Sequence, residues 1–225
     1  MKKLIILMSV MAFCLNGYSQ SESRKYIHLG ASVTKSFLDK KLEAGLETEG
    51  RFRTGEDQKQ WLITPKISYE PIKYFSVGLQ YRFNLEHDGS EDPQNEWVNR
   101  LSADLKGKLP AGNFKFEFRF RYCNYNEDFE KGSINYGRKE YLRYRFEVDY
   151  KIKPIKLTPY ISYEWFQNLA LKDVDRNRWT FGLKQKLNKH NKIGFEYMFQ
   201  ENFNNPNKIK DIYKHIFAFS YSYNF

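Results

Sequence analysis

Histidines and serines are the residues of this sequence whose types suit nucleophilic or acid–base chemistry. A serine nucleophile needs a base within hydrogen-bond reach, and the closest candidates along the chain are His215, Ser220 and Ser222. Apolar and polar residues alternate through this segment, so His215 and the two serines point to opposite faces of an extended strand. The other histidines are His28, His87 and His190. These residues predict no catalytic triad.

Sequence motifs for metals and nucleotides are missing as well. The chain has no His-Glu-x-x-His, no Cys-x-x-Cys and no glycine-rich phosphate loop. Asp173, Asp175 and Asn177 resemble the start of a calcium loop, but Arg178 replaces the glycine of that loop and Lys184 its final glutamate. We therefore expect no metal site and no cofactor.

The start of the chain has the pattern of an export signal. Lys2 and Lys3 precede an apolar run at 4–15 that is too short to span a bilayer, and small and polar residues follow at 16–20. This pattern predicts a signal peptide over residues 1–19. Cys123 is then the one cysteine of the mature chain, so an intramolecular disulfide is excluded.

The composition combines high polarity with many aromatic residues. Mean hydropathy is −0.73, yet the chain holds 17 tyrosines and 19 phenylalanines. The formal net charge is +10. Because export removes the chain from the cytoplasm, we expect no nucleic-acid partner, and anionic lipid headgroups suit this charge better.

From residue 41 onward, apolar and polar residues alternate in ten segments. Period two is the period of a β-strand, in which successive side chains point to opposite faces. The segments lie near 41–53, 61–70, 74–85, 97–109, 114–122, 142–152, 157–167, 178–188, 193–201 and 212–225. Most have about the 9–11 residues that a tilted membrane strand requires.

These segments predict an all-β fold, a membrane-spanning, antiparallel, up-and-down β-barrel of ten strands over residues 41–225. Residues 20–40 are expected to form an N-terminal periplasmic or lumen-entering segment. A weak alternation at Ile27, Leu29, Ala31 and Val33 would make an eleventh strand. Because single-chain bacterial barrels usually have an even number of strands, twelve strands is the alternative.

The connections between these segments alternate between tight turns and longer polar loops. Turn-forming residues lie at 71–73, 110–113, 153–156 and 188–191, and longer loops near 54–60, 86–96, 126–139, 168–177 and 202–211. Outer-membrane barrels have short periplasmic turns and longer external loops. The pattern therefore predicts a location in the outer membrane of a Gram-negative bacterium.

The tryptophans predict an aromatic girdle at the outer membrane interface. All four lie on the apolar parity beside a longer loop, at Trp61, Trp97, Trp165 and Trp179. The C-terminus has aromatic residues at alternate positions, Tyr221, Tyr223 and Phe225. This terminal pattern predicts recognition by the barrel-assembly machinery, which would add the strand through backbone pairing.

The polar parity predicts four cross-strand charge pairs inside the barrel, since opposite charges stabilise neighbouring strands and tight turns set hairpin register. The predicted pairs are Asp104–Arg119, Lys106–Glu117, Arg145–Glu164 and Lys184–Glu196. Eight strands enclose a lumen that side chains just fill. A ten-stranded lumen with such long side chains is therefore predicted to be largely occluded.

Three segments resemble an uncharacterised family of bacterial outer-membrane barrels, domain of unknown function 2490. They are residues 140–146 (EYLRYRF), 159–166 (PYISYEWF) and 176–183 (RNRWTFGL). The resemblance extends through residues 189–199 and the C-terminus, and it is weakest before Lys41. It implies a barrel in the outer membrane and brings no activity with it.

The leading functional hypothesis is a non-enzymatic barrel with a structural role or with binding carried by its loops. The alternatives are a narrow channel for small solutes or ions, a lipid-modifying outer-membrane enzyme, and a soluble periplasmic barrel with the aromatic parity inside. Expected partners are outer-membrane lipids and lipopolysaccharide, and the barrel-assembly machinery during biogenesis.

Overall fold

The described strands form one closed β-barrel. The computed structural model describes residues 22–87, 95–124, 140–202 and 212–225, and the predicted signal peptide lies outside them. The strands are β1 (Glu22–Phe37), β2 (Leu42–Arg53), β3 (Lys59–Ile72), β4 (Phe75–His87), β5 (Asn95–Ala111), β6 (Phe114–Cys123), β7 (Tyr141–Tyr150), β8 (Leu157–Asn168), β9 (Asp173–Lys186), β10 (Asn191–Asn202) and β11 (Ile212–Asn224). No helix among these residues is long and apolar enough to cross a membrane. The all-β barrel prediction is confirmed.

The predicted number of strands, ten or twelve, is wrong. Residues 22–37, expected to belong to a periplasmic or lumen-entering segment, form β1, which pairs antiparallel with β2 and parallel with β11. Ile27 and Leu29 point outward, whereas Tyr26 is buried in the lumen. The even-number rule misled the prediction because a parallel pair closes an odd-stranded barrel and leaves no edge unpaired.

The two ends of the barrel differ in their connections. One end, called the turn end, carries the connections 38–41, 73–74, 112–113, 151–156 and 187–190. The other, called the loop end, carries 54–58, 88–94, 124–140, 169–172 and 203–211. The long loop predicted at 168–177 is wrong, because β9 begins at Asp173 and leaves four residues between the strands. The predicted loops at 126–139 and 202–211 lie almost entirely outside the described residues.

Side-chain polarity is inverted relative to a soluble barrel. Large apolar side chains cover the outer face, and Leu79 and Trp97 are 54% and 64% exposed there. The lumen buries ionised side chains, among them Arg119 and Glu164 at 7% and 4% exposure. Since each strand alternates between the two faces, the sequence periodicity produces this arrangement. It contradicts the alternative barrel with the aromatic parity inside.

Candidate functional site in the lumen

The four tryptophans point outward in the half of the barrel nearer the loop end. Trp61 and Trp97 lie just after the starts of β3 and β5, and Trp165 lies just before the end of β8. Trp179 of β9 packs against Tyr163, with ring centroids 4.5 Å apart. A girdle at a membrane interface stays a prediction, since it depends on the location of the barrel.

The C-terminal aromatic residues lie on the outer face at the turn end. Tyr221 and Phe225 are exposed, and the ring of Tyr223 stacks on His190. The backbone N–H of Phe225 donates a hydrogen bond to the carbonyl oxygen of Thr34 in β1 (3.0 Å). The terminal strand is thus paired on both sides in the closed barrel, with β10 and with β1.

The register between β5 and β6 differs from the prediction by two residues. Asp104 lies opposite Arg121 and Lys106 opposite Arg119, so the predicted pairs Asp104–Arg119 and Lys106–Glu117 are wrong. Pro110 and Ala111 continue β5, which leaves a turn of Gly112 and Asn113. Gly112 adopts a left-handed conformation with φ 61°, which glycine accepts without steric cost.

The β9–β10 hairpin shows the same kind of shift. Asn188 Oδ1 accepts hydrogen bonds from the backbone N–H groups of His190 and Asn191. This turn chemistry moves the register so that Lys184 faces Gly194 and Glu196 faces Gly182, and the predicted pair Lys184–Glu196 is wrong.

The β7–β8 register is the predicted one, with Arg145 opposite Glu164. Arg145 and Glu164 nevertheless form their ion pairs with other residues. Arg145 binds Glu117 (3.4 Å) and Glu147 (3.3 Å), and Glu164 binds other arginines. Long side chains inside a narrow lumen reach beyond their direct cross-strand neighbours.

At the loop end, a polar network joins lumen-facing side chains of the neighbouring strands β3 and β4. Gln60 and Asn84 donate hydrogen bonds from their amide nitrogens to Glu86 Oε1 over 2.5 and 2.6 Å. On the other side of the lumen, Asn168 donates to the Tyr141 hydroxyl (3.1 Å). These side chains are buried and lie above the centre of the barrel.

At the turn end, lysines and carboxylates form a second network. Lys115 binds Asp149 (2.6 Å) and Glu117 (3.2 Å). Lys184 binds Glu147 (2.8 Å) and Asp149 (3.3 Å). The two acids of β7 thereby pair with lysines of β6 and β9 at the turn end of the lumen.

Between these networks lies a group of eight arginines from β4 to β9, called here the arginine wall. Its members are Arg82, Arg100, Arg119, Arg121, Arg143, Arg145, Arg176 and Arg178. The register sets like charges directly opposite each other, with Arg121 against Arg143 and Arg119 against Arg145. Like charges in that position destabilise a strand pair, so this wall depends on compensating anions.

Glu164 supplies the central compensating charge. Its carboxylate accepts hydrogen bonds from Arg119 Nη2 (2.6 Å) and from Arg143 Nε and Nη2 (3.2 and 3.0 Å). Arg178 Nη1 lies 4.0 Å from Oε2. One buried carboxylate therefore serves arginines of three different strands, β6, β7 and β9.

Asp104 supplies a second compensating charge at the edge of the arginine wall. It accepts two hydrogen bonds from Arg121, at 2.5 Å from Nε and 2.7 Å from Nη2. This side-by-side geometry is the strong form of the arginine–carboxylate contact.

A cavity of about 410 Å³ lies between the arginine wall and the opposite side of the barrel. That opposite side, called here the small-residue wall, comes from β1 and β11 and includes Gly30, Ser32, Ala218, Ser220 and Ser222. Because these side chains are short, β1 and β11 project little side-chain volume into the lumen towards the arginines. Side chains therefore fill the lumen unevenly, and the cavity lies next to β1 and β11, the two strands whose pairing closes the barrel.

The histidine and serine of β11 that the sequence placed on opposite faces of a strand do lie on opposite faces of the barrel wall. His215 Nδ1 lies 2.7 Å from the Tyr197 hydroxyl on the outer face. Ser222 accepts a hydrogen bond from Ser32 inside the lumen (3.0 Å). Within the described residues, no group of three histidine, cysteine, aspartate or glutamate side chains is arranged to hold a metal ion.

Comparison with known proteins adds a family and no activity. A family model described as "Protein of unknown function (DUF2490)" matches residues 27–211 of the chain. The comparison with curated proteins found no match.

Proposed function

We propose that this chain, which belongs to the DUF2490 family of proteins of unknown function, is a non-enzymatic β-barrel of the bacterial outer membrane. In this proposal charged side chains largely occlude its lumen, and its role is structural or carried by its loops. The observation that supports the proposal is the inverted polarity of the barrel.

The outer face is costly to expose to water. Monomeric soluble proteins rarely present a continuous apolar surface larger than a few hundred Å². Here each of the eleven described strands carries at least one exposed large apolar side chain, and the strands with a single one are β2 (Leu46), β8 (Ile161) and β10 (Ile193). A surrounding bilayer removes that surface from water, whereas the buried arginines and carboxylates remain in the lumen.

The same surface defines the proposed partners. Outer-membrane lipids and lipopolysaccharide would contact the apolar band, with the tryptophans at the interface nearer the loop end. The barrel-assembly machinery would contact the C-terminal strand during insertion. We propose no nucleic-acid partner.

The first prediction concerns location. In cell fractionation, the mature chain is expected in the outer-membrane fraction, to begin near Gln20, and to require detergent for extraction, because the apolar band is stable only in lipid or detergent. N-terminal sequencing and fractionation measure both properties. Recovery of the folded chain as a soluble periplasmic protein without detergent would contradict the proposal.

The second prediction concerns assembly. Replacing Phe225 by aspartate should reduce the folded, membrane-inserted fraction, because the terminal aromatic residue is part of the proposed recognition pattern. Asn224→Asp is the matched control, since it introduces the same side chain one position earlier and is expected to assemble more efficiently. The folded fraction is measured by its gel mobility without heating. Equal assembly of the two variants would show that the terminal aromatic residue has no special role.

The cavity favours a second candidate, a narrow channel for small solutes or ions. Rings of arginine and lysine set the selectivity of anion pores, and the arginine wall lines the cavity of about 410 Å³. Conductance in planar bilayers separates the candidates. A largely occluded barrel conducts poorly, whereas large and steady single-channel currents from the unmodified protein would favour the channel.

A further inference from the structure

The cavity carries more positive than negative charge. Its lining includes nine arginines and Lys66, against the four glutamates Glu47, Glu49, Glu164 and Glu196. Asp104, Glu117 and Glu147 bind lining arginines from outside the cavity. Even with these included, the ten cations that line the cavity outnumber the seven carboxylates named here.

Part of the arginine wall also lacks hydrogen-bond acceptors. The Nε atoms of Arg119 and Arg145 are buried and have no hydrogen-bond partner among the described residues. These two arginines lie directly opposite each other on β6 and β7. A buried donor without an acceptor is destabilising, so the carboxylates of the lumen compensate these two arginines incompletely.

The side of the cavity opposite the arginine wall is formed by backbone and short side chains. Gly30, Ser32 and Ser220 line the cavity on the side facing the arginines. Ser220 also packs against Gly194. A Cβ atom at position 194 would lie only 2.5 Å from the Ser220 Oγ atom, so a larger residue at position 194 would clash with this serine. Small residues on this side keep open a volume that larger ones would fill.

We propose that this cavity is a binding site for a phosphate group, either as the free ion or as a small phosphate monoester. Arginine presents a planar set of donors that matches phosphate oxygens. A phosphate carries close to two negative charges at neutral pH and several acceptor oxygens. It therefore offsets the excess charge better than a single carboxylate does.

The inference rests on the charged lumen of the proposed function, and its test is independent of the membrane. Purified full-length protein in a nonionic detergent is titrated with inorganic phosphate by calorimetry at constant ionic strength. We expect saturable binding of one phosphate per barrel. Sulfate should compete because its shape and charge are similar, and acetate should compete at least about tenfold less well because it offers one carboxylate. Glycerol 3-phosphate in a parallel titration distinguishes a monoester ligand from the free ion.

Two different substitutions locate the site. Arg119→Gln removes a cation, and Ser220→Phe fills the space without changing charge. Each should weaken phosphate binding about tenfold or more, since a charge-assisted hydrogen bond contributes roughly that factor. Lys108→Gln is the matched control, because Lys108 is paired with Glu70 outside the cavity, and its affinity should equal that of the unmodified protein. The folded fraction of each variant is measured by gel mobility, and binding is calculated per folded barrel.

Four results would overturn the inference. Three are the absence of phosphate binding by the folded protein, unchanged affinity in both Arg119→Gln and Ser220→Phe, and equal loss in Lys108→Gln, which would indicate diffuse attraction to a basic protein. Acetate binding as tight as phosphate binding would assign the site to carboxylates instead. If the folded protein does not bind phosphate, the proposed location in the outer membrane is unaffected. If the chain is recovered as a soluble protein, the proposed location is wrong and the phosphate site is unaffected.

Discussion

Replacing Glu164 by glutamine is expected to destabilise the barrel more than any other single change of a lumen carboxylate. The substitution keeps the size of the side chain and removes the charge that Arg119 and Arg143 share at 2.6 and 3.0 Å. Removing one partner of a buried ion pair costs on the order of 3–5 kcal/mol, and a hydrated lumen lowers this figure. Urea unfolding in detergent measures the loss.

Glu70→Gln is the matched control for this prediction. Glu70 makes a comparable ion pair with Lys108 at 2.7 Å, but both side chains are about one-third exposed at the turn end. An exposed pair contributes about 0–1 kcal/mol. In the double variant Glu164→Gln/Arg143→Gln, part of the loss should be recovered because one uncompensated cation is removed. Equal, small effects of Glu164→Gln and Glu70→Gln would show that the arginine wall does not depend on Glu164.

Introducing arginine at Leu79 is expected to have the second large effect, and it tests the membrane proposal directly. Leu79 is 54% exposed on the outer face and lies near the middle of the barrel, between Ile67 of β3 and Ala103 of β5. In a bilayer, arginine at the midplane costs about 2–4 kcal/mol relative to an apolar residue. Unfolding from lipid vesicles measures this cost.

Leu109→Arg provides the same substitution at the rim. Leu109 is 64% exposed near the end of β5, where a bilayer interface would lie, and the expected cost there falls to about 0–1 kcal/mol. A depth-dependent difference between the two variants is the expected result. If both substitutions were neutral or stabilising, the outer face would be facing water and the membrane proposal would be wrong.

Local patterns in the sequence were sufficient to predict the fold class. The alternation at residues 114–122 and 142–152 assigns phenylalanines to one face and charges to the other, since successive side chains of a strand point in opposite directions. The same rule correctly predicted that Trp61 and Trp97 lie on the apolar face. The extra strand β1 was visible as a weak alternation at Ile27 and Leu29, but a general rule on strand number outweighed it.

The register of two of the three predicted hairpins, and the long-range pairing, were decided only by the tertiary structure. A two-residue change in the length of one turn, from 110–113 to Gly112–Asn113, moves Arg121 opposite Asp104 and Arg119 opposite Lys106. A shift of two residues leaves every side chain on its original face, so the apolar–polar pattern does not distinguish the registers.

The lumen site is therefore a property of barrel closure. Glu164 meets Arg119 across an intervening strand, and the cavity exists because β1 and β11 bring small residues to face the arginine wall. The sequence by itself determined which side chains enter the lumen, because that depends on each residue's position within its own strand. Which of them meet depends on turn geometry and on the parallel pairing of the first strand with the last, which join residues distant in the chain.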